Sequence, residues 1–203
     1  MSLDIQWLED CDSKEKLIYF CMLQLQDETS IEEFNCNTLY FQLQIANPQT
    51  LTLNLHPIRS YTYGPPMAVA PINQVEKVVL YAVNNITPEK ILLGIPNYGY
   101  DWALPFVKGV SRANSIGNQR AVQIAVENGS PIQYDTVAQA PFFRYKNDGV
   151  EHEVWFEDVR SIQAKYDLLY NYSLFGSGYW NSMRPFAQNW AFISTQYNVK
   201  KFV

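Results

Sequence analysis

The feature that most restricts the fold is a buried strand that opens directly onto an aromatic loop. Residues 91–102 read ILLGIPNYGYDW, an apolar run followed by Gly-Ile-Pro, several aromatic residues and one carboxylate. The apolar run does not alternate, as expected for a parallel strand covered on both faces. Loops that follow parallel strands carry the binding sites of α/β proteins. The segment therefore predicts an α/β protein with a site in the loop that holds Tyr98, Tyr100, Asp101 and Trp102.

These aromatic side chains allow two interpretations. Flat aromatic faces beside a carboxylate suit a sugar ring, which offers apolar C–H faces and polar hydroxyl edges. The alternative is that the aromatic residues only fill the mouth of a barrel. The segment alone does not decide between a binding surface and packing.

Composition excludes several classes of protein. Charged residues make up 17% of the chain and aromatic residues 15%, which indicates a globular protein and not a disordered one. A net charge of -5 argues against nucleic acid as a partner. No apolar run approaches the roughly 18 residues of a membrane span, and the first ten residues show no export signal. Cys11, Cys21 and Cys36 are expected to be free thiols, and we expect neither a metal nor another cofactor.

The chain changes character near residue 60. Residues 1–60 contain no glycine and carry nine acidic against three basic residues, while all nine glycines lie between Gly64 and Gly178. Tight strand-to-helix turns of a barrel need glycine, so the first segment is either a different module or a degenerate part of the same fold. Within it, residues 12–27 are compatible with a helix, and residues 38–45 alternate like a strand.

From residue 61 the pattern alternates helices and strands. A helix is predicted to follow Pro71, a strand covers residues 91–96, and a second helix is expected from a Ser115 cap to Gly129. Residues 132–137 predict a short strand, and Asn147-Asp148-Gly149 predict a three-residue hairpin loop. Asp158 should cap a third helix, and residues 174–180 should form a last strand that ends at Trp180. The apolar residues of the first helix are Ile72, Val75, Val79, Ala82, Val83 and Ile86.

Five ordered segments resemble glycoside hydrolase family 18, in particular the branch of spore-cortex and cell-wall N-acetylglucosaminidases. They are YTYGPPMAVAPINQ, ILLGIPNYGYDW, IQYDTVAQAPFFRY, HEVWFEDVRSIQAKYDL and GSGYW, and the likeness covers residues 61–203. The family is a TIM barrel that cleaves N-acetylglucosamine polymers. The resemblance implies a partial (β/α)8 barrel with a small α+β insertion, residues 103–157, between strand seven and helix seven.

The resemblance also implies roles for individual residues. Trp180 matches the tryptophan that floors the cleavage subsite, and Tyr98, Tyr100, Asp101 and Trp102 match the loop beside it. Tyr61 is a doubtful substitute for the family's substrate tyrosine. The partner implied is a polysaccharide that contains N-acetylglucosamine, such as chitin or peptidoglycan, and the lineage suggests the spore or cell envelope.

The acidic motif of the family is not recognisable. Family 18 hydrolysis is substrate-assisted and needs a Glu acid with neighbouring Asp residues, which the family supplies as Asp-x-x-Asp-x-Asp-x-Glu. Here the nearest segment, Asp4-Ile5-Gln6-Trp7-Leu8-Glu9, has Gln6 in place of an Asp and Leu8 in place of the acid. Glu9 is displaced by one residue, which turns it to the opposite strand face unless a bulge intervenes.

Three hypotheses follow from the sequence. The first is a truncated or degenerate family 18 module, because a full barrel takes about 250 residues and the chain has 203. The second is an active glycosidase that uses Glu9 as acid, in a rearranged barrel or one completed by another chain through exposed strand edges. The third makes residues 1–60 an acidic interaction module fused to a barrel remnant.

Overall fold

The chain forms two sheets that are joined by a short connection. The computed structural model describes residues 20–23, 40–47, 50–56, 65–180 and 183–197, with side chains described from residue 65 onward except that of Trp180. The strands are β1 Phe20–Leu23, β2 Tyr40–Asn47, β3 Thr50–His56, β4 Ile91–Pro96, β5 Gly99–Ala103, β6 Asn114–Ile116, β7 Gln133–Asp135, β8 Ala140–Asn147, β9 Val150–Trp155 and β10 Gly176–Trp180. The α-helices are α1 Ile72–Asn85, α2 Asn118–Glu127, α3 Val159–Asn171 and α4 Ala187–Gln196.

The first sheet has the order β1-β2-β3-β4-β10 and mixes two pairing modes. β4 is parallel to both β3 and β10, as predicted for a strand covered on both faces. β1, β2 and β3 pair in antiparallel fashion. Only two residues separate β2 from β3, whereas a parallel crossover takes a dozen or more. This arrangement differs from the successive parallel strands of a barrel repeat.

Helices α1 and α3 cover β4. The core between them contains the buried face of α1, the inward side chains of β4 and the apolar stripe of α3. Pro71 precedes α1, where its fixed φ suits a helix start. The buried residues are Ile72, Val75, Val79, Ala82, Ile91, Leu93, Ile95, Ile162, Tyr166 and Leu168. The helical spacing predicted for α1 and α3 is confirmed.

The second sheet lies between β4 and α3 in the sequence and is antiparallel, with the order β6-β5-β9-β8-β7. Helix α2 packs on one face through Ala121 and Ile124 against Phe143 and Val154. The opposite face, which carries Phe142 and Trp155, covers Ala68. The centre of this sheet is therefore buried on both faces.

Local sequence signals of the second sheet are confirmed in part. The predicted hairpin joins β8 to β9, with Asp148 (φ 50°) and Gly149 (φ 80°) both left-handed. The loop has two residues, a length that fits the twist of a hairpin, and the predicted three-residue loop is wrong because Asn147 pairs with Val150. The expected Ser115 cap is wrong, since Ser115 lies in β6 and Gly117 precedes α2. Asparagine at position 118 starts that helix.

Two further expectations concern helices. A helix over residues 12–27 is wrong at residues 20–23, which form β1, and the other residues of that range lie outside the described part. Within the part of the chain that the structure describes, no helix is long and apolar enough to cross a bilayer.

Candidate functional site

The carboxyl ends of β4 and β10 meet at one edge of the first sheet. The parallel register pairs Tyr179 with Ile95 and Trp180 with Pro96. The residue after β4, Asn97, is fully buried and donates from its amide to the carbonyl oxygen of Arg184 at 2.6 Å. The segment that follows β10 therefore returns to the end of β4, and the two strands share a single loop region.

An aromatic cluster stands behind this edge. Tyr98 lies just before β5, whereas Tyr100 and Trp102 lie in β5, so the loop predicted for these residues is a strand from Gly99 onward. The three rings pack edge to face, with ring centroids 5.5 and 6.5 Å apart. Val69 completes the cluster from the segment that covers the second sheet. Tyr98 and Tyr100 are each 6% exposed and Trp102 is 0% exposed, so the three rings are mainly a packed layer. Burial raises the pKa of Tyr98 above its ordinary value, while nearby Arg184 acts in the opposite direction.

Asp101 lies on the other face of β5 and is held by two side chains. Its Oδ2 accepts a hydrogen bond from the Tyr145 hydroxyl at 2.7 Å, and its Oδ1 lies 2.8 Å from Nδ1 of His152. The Tyr145 and His152 rings pack at 4.8 Å. Burial raises the pKa of Tyr145, and its hydrogen bond to Asp101 adds to that effect. The carboxylate therefore ties β5 to the β8–β9 hairpin.

The sequence did not indicate this Asp101 cluster. No motif in the sequence joins His152 to Asp101. The signal that could have found it is strand register, since His152 pairs with Tyr145 in the hairpin and with Ala103 of β5. The local sequence pattern does not specify how three strands pair with one another.

Arg184 brings a positive charge to the edge. Its guanidinium carbon lies 5.9 Å from the centre of the Tyr98 ring. Its Nη1 donates to Ser115 Oγ at 2.8 Å, and its Nη2 lies 3.5 Å from the Ser115 carbonyl. Since Ser115 pairs with Tyr100 in the second sheet, Arg184 connects the end of β10 with both sheets. Arg184 was not among the predicted site residues.

A buried ion pair lies at the start of α3. Glu157 Oε2 accepts from Lys165 Nζ at 2.8 Å, and both side chains are 0% exposed. Glu157 Oε1 has no hydrogen-bond partner among the described residues. Burial raises the pKa of Glu157 above its ordinary value, against the attraction of Lys165. Asn118 accepts from the Glu157 backbone N–H at 3.1 Å and donates to Asn97 Oδ1 at 3.3 Å, which links the pair to the edge.

The role of Asp158 is confirmed. Its carboxylate accepts from the backbone N–H groups of Arg160 and Ser161, and the Ser161 hydroxyl accepts from the Asp158 N–H. This is a capping box at the start of α3. The adjacent Glu157 and Asp158 therefore have separate partners, since Asp158 caps α3 and Glu157 pairs with Lys165.

The two acidic residues described near this edge point into the protein. Asp101 and Glu157 are both buried, and each is engaged by other side chains, so neither carboxyl group is presented to solvent. Within the described ranges no group of three or more His, Cys, Asp and Glu residues could hold a metal ion. Glu9 and Tyr61 lie outside the described residues, as does the side chain of Trp180.

Comparison with known proteins identifies a family that matches this chain. The model of glycosyl hydrolases family 18 matches residues 49–184. The cortical fragment-lytic enzyme of Bacillus subtilis (strain 168) is 48% identical over 142 residues, which are 70% of this chain and 33% of that protein. Di-N-acetylchitobiase of Mus musculus is 32% identical over 135 residues, 57% of this chain and 37% of that protein. The chain thus spans about a third of the length of these relatives.

Solved structures agree with this match. The spore cortex-lytic enzyme SleL of Bacillus megaterium QM B1551 superposes with a TM-score of 0.66 at 50% identity, over 70% of this chain and 34% of that chain. The chitinase of Chromobacterium violaceum ATCC 12472 superposes with a TM-score of 0.64 at 26% identity, over 72% of this chain and 44% of that chain. These matches indicate an α/β fold of the TIM-barrel type.

Proposed function

Because the chain belongs to glycosyl hydrolases family 18, we propose that it binds polymers containing N-acetylglucosamine at the shared edge of β4 and β10. The observation that carries the proposal is the register that sets Trp180 beside Pro96 at the carboxyl ends of two parallel strands. Sites of α/β folds lie at such ends. The names of the relatives, a cortical fragment-lytic enzyme and a chitobiase, both point to amino-sugar polymers.

In this proposal the residues of the site have unequal roles. The Trp180 indole is the face on which a sugar ring stacks. Tyr98 and Tyr100 follow β4 with small exposed fractions, and Trp102 supports them from a fully buried position. Asp101, also predicted to bind the substrate, fixes β5 through Tyr145 and His152. Tyr61 would complete the site from the segment that precedes residue 65.

We also propose which strands and helices of a TIM barrel the observed elements correspond to. We assign β4 to strand seven, α3 to helix seven and β10 to strand eight, with residues 103–157 as the α+β insertion. Two observations support this assignment. β4 and β10 are neighbours and parallel, with α3 in the connection between them, and the second antiparallel sheet lies between β4 and α3 in sequence.

The same proposal treats the acid machinery as incomplete. Residues 4–9 do not reproduce the spacing Asp-x-x-Asp-x-Asp-x-Glu, since Gln6 and Leu8 stand at two of its positions. Substrate-assisted hydrolysis needs a proton donor beside the glycosidic oxygen. We therefore propose a truncated or degenerate module that keeps polymer binding. The alternative is an active glycosidase with Glu9 as acid.

A binding experiment tests the site. Trp180→Ala should reduce retention on chitin or peptidoglycan by about 5- to 30-fold, because an aromatic stacking contact contributes about 1–2 kcal/mol. Phe175→Ala is the matched control, since Phe175 is 60% exposed and precedes the same strand at its opposite end. Equal retention of the Trp180→Ala variant and the parent would remove Trp180 from the site.

An activity experiment separates the two functional hypotheses. The degenerate module should release no product from a chromogenic N-acetylglucosamine oligomer. Hydrolysis that is abolished by Glu9→Gln would establish the active glycosidase instead. The same samples should be measured for mass in solution, because among the described strands β10 has β4 as its one neighbour, and an open edge favours association with another chain.

The origin of residues 1–60 stays a prediction. The family model begins at residue 49, and β3 pairs in parallel with β4, which favours a part of the same fold over an independent module. Expression of residues 1–60 alone tests this. Cooperative folding of that fragment would favour the acidic interaction module, and rapid proteolysis would favour a degenerate part of the barrel.

A further inference from the structure

Two buried asparagines connect the end of β4 with the segment that follows β10. Asn97 comes directly after β4 and is 0% exposed, and Asn118 is the first residue of α2 and is 1% exposed. We propose that these two side-chain amides, the amide relay, are positioning residues that hold residues 183–186 at the proposed sugar site. This inference rests on the proposed function, because it assigns supporting residues to the same edge.

The amide relay has one possible direction. At one end the Glu157 backbone N–H donates to Asn118 Oδ1 at 3.1 Å. Asn118 Nδ2 donates to Asn97 Oδ1 at 3.3 Å, and Asn97 Nδ2 donates to the Arg184 carbonyl oxygen at 2.6 Å. A backbone N–H can only donate and a carbonyl oxygen can only accept. Turning either amide around would therefore place two donors or two acceptors against each other, so these neighbours fix the orientation of both side chains.

Position 97 therefore needs a side chain that accepts at one end and donates at the other. A planar amide does both, whereas an ionised carboxylate of nearly the same shape only accepts. Aspartate at this position would remove the donor to the Arg184 carbonyl and set a second acceptor against it. A buried polar group that loses its partner raises the free energy of the folded state. The hydrogen-bonding chemistry of Asn97, and not its size, is what holds the segment.

The segment of residues 183–186 is held by its side chains as well. The Arg184 guanidinium donates to Ser115 Oγ at 2.8 Å, and an added Cβ at Gly117 would lie 3.7 Å from the Arg184 Cβ. Phe186 is 1% exposed and anchors the end of the segment. Only two residues lie between β10 and this segment. A displacement of the segment would therefore be transmitted to the carboxyl end of β10, where the proposed site lies.

The amide relay also makes the second sheet a support for this edge. Asn118 belongs to α2, whose Ala121 and Ile124 pack on that sheet. Glu157 follows the end of β9 by two residues. The segment after β10 is thus hydrogen-bonded, through the relay, to two elements outside its own sheet.

Asn97→Asp in the full chain tests the relay, because the protonation of the new carboxyl group decides whether it can donate. At pH 8 the carboxylate cannot donate, and affinity for a chitin oligosaccharide should fall about fivefold relative to the parent, since a displaced strand end loses most of an aromatic stacking contact. At pH 4.5 a protonated carboxyl group donates and accepts like the amide, so affinity should return to within about twofold of the parent. Isothermal titration at both pH values measures the ratio.

The charged groups described around the relay favour this recovery in acid. They are Glu157 with its partner Lys165, and the Arg184 guanidinium. Burial and the Glu157 carboxyl group raise the pKa of the adjacent Tyr98, while Arg184 acts in the opposite direction. The same influences act on a carboxyl group introduced at position 97, and burial should raise its pKa above the ordinary value for aspartate.

Two control variants separate the relay from general effects. Asn97→Ala can neither donate nor accept, so its loss of affinity should be the same at both pH values. Asn128→Asp makes the same exchange at the other end of α2, where Asn128 donates to the Ile124 carbonyl at 2.9 Å, and should change affinity at neither pH. An Asn97→Asp loss that does not recover in acid would overturn the proposal, as would an equal loss in Asn128→Asp.

Hydrogen exchange of residues 183–186 gives a readout that does not depend on sugar binding. These amides should exchange faster in Asn97→Asp than in the parent at pH 7, and unchanged exchange would overturn the positioning role. If Asn97→Asp does not fold, Asn118→Asp carries the same test, because it keeps the acceptor for Glu157 and loses the donor to Asn97. If the parent binds no chitin oligosaccharide, the proposed function fails, and hydrogen exchange alone decides whether the relay holds the segment.

Discussion

Replacing Lys165 by methionine should destabilise the protein by about 3 kcal/mol at pH 7. Lys165 Nζ lies 2.8 Å from Glu157 Oε2, with both side chains fully buried. At an effective dielectric constant of about 20, the attraction over that distance is about 6 kcal/mol. Methionine removes this attraction but leaves a buried carboxylate whose second oxygen already lacks a described partner.

Protonation of Glu157 limits the loss of stability in the Lys165→Met variant. A carboxyl group with an ordinary pKa of 4.5 needs about 3.4 kcal/mol to hold a proton at pH 7, because each pKa unit corresponds to about 1.36 kcal/mol. The Lys165→Met variant should therefore fold with a neutral Glu157 and not with a bare charge. The expected cost is close to that value, and it is in the range seen when one partner of a buried pair is removed.

The pH dependence has a definite sign. Burial already raises the pKa of Glu157 in the folded protein, so the folded state binds this proton more tightly than the unfolded chain does. The associated stability is present below about pH 4.5 and is lost as the pH rises through the folded-state pKa. The penalty of Lys165→Met should therefore be smallest in acid. Adding Glu157→Gln to the Lys165→Met variant should recover most of the loss, because glutamine is neutral without binding a proton.

Urea unfolding followed by tryptophan fluorescence between pH 4 and pH 8 measures these free energies. The matched control is Arg120→Met, because Arg120 and Glu127 form an exposed pair with side chains 51% and 56% exposed. That control should cost less than about 1 kcal/mol. If Lys165→Met costs no more than the control, or if its penalty grows toward acid, the reasoning about the buried pair is refuted.

The remaining predictions concern backbone geometry and capping. Gly99→Ala should destabilise the protein by about 1–3 kcal/mol, because an added Cβ would lie 2.5 Å from the Trp155 carbonyl oxygen and 2.6 Å from Phe156 Cβ. Gly178→Ala, whose Cβ would meet no atom of a described residue within 4 Å, is its control, and equal stabilities of the two variants would contradict the clash. Asp158→Ala should cost about 1 kcal/mol by thermal or urea unfolding, and Asp158→Asn less, since asparagine can also cap a helix.

Local signals in the sequence were enough for most elements. The spacing of apolar residues predicted α1, the unbroken apolar run predicted β4, and the Asp158 cap predicted the start of α3. Each of these signals acts within a few residues, so neighbouring sequence carries the information. The Asp148-Gly149 turn belongs to the same class.

Contacts between distant segments were harder to predict. The burial of Trp102 depends on Val69, which lies 33 positions earlier in the chain and packs on the second sheet. The contact between Asp101 and His152 depends on register across the second sheet. The interpretation of the aromatic loop as an open surface therefore missed that most of these rings are covered. Arg184 was missed because its partners are brought to it by the fold alone.

The two residues between β4 and β5 have a further consequence for how this architecture can vary. Asn97 and Tyr98 are both buried, and they join the sheets directly. An added or deleted residue in this connection would therefore displace a whole sheet. For this reason the second sheet cannot be exchanged alone between related proteins. A chimaera made between related proteins should exchange residues 91–157 as one block, with both strand ends taken from the same parent.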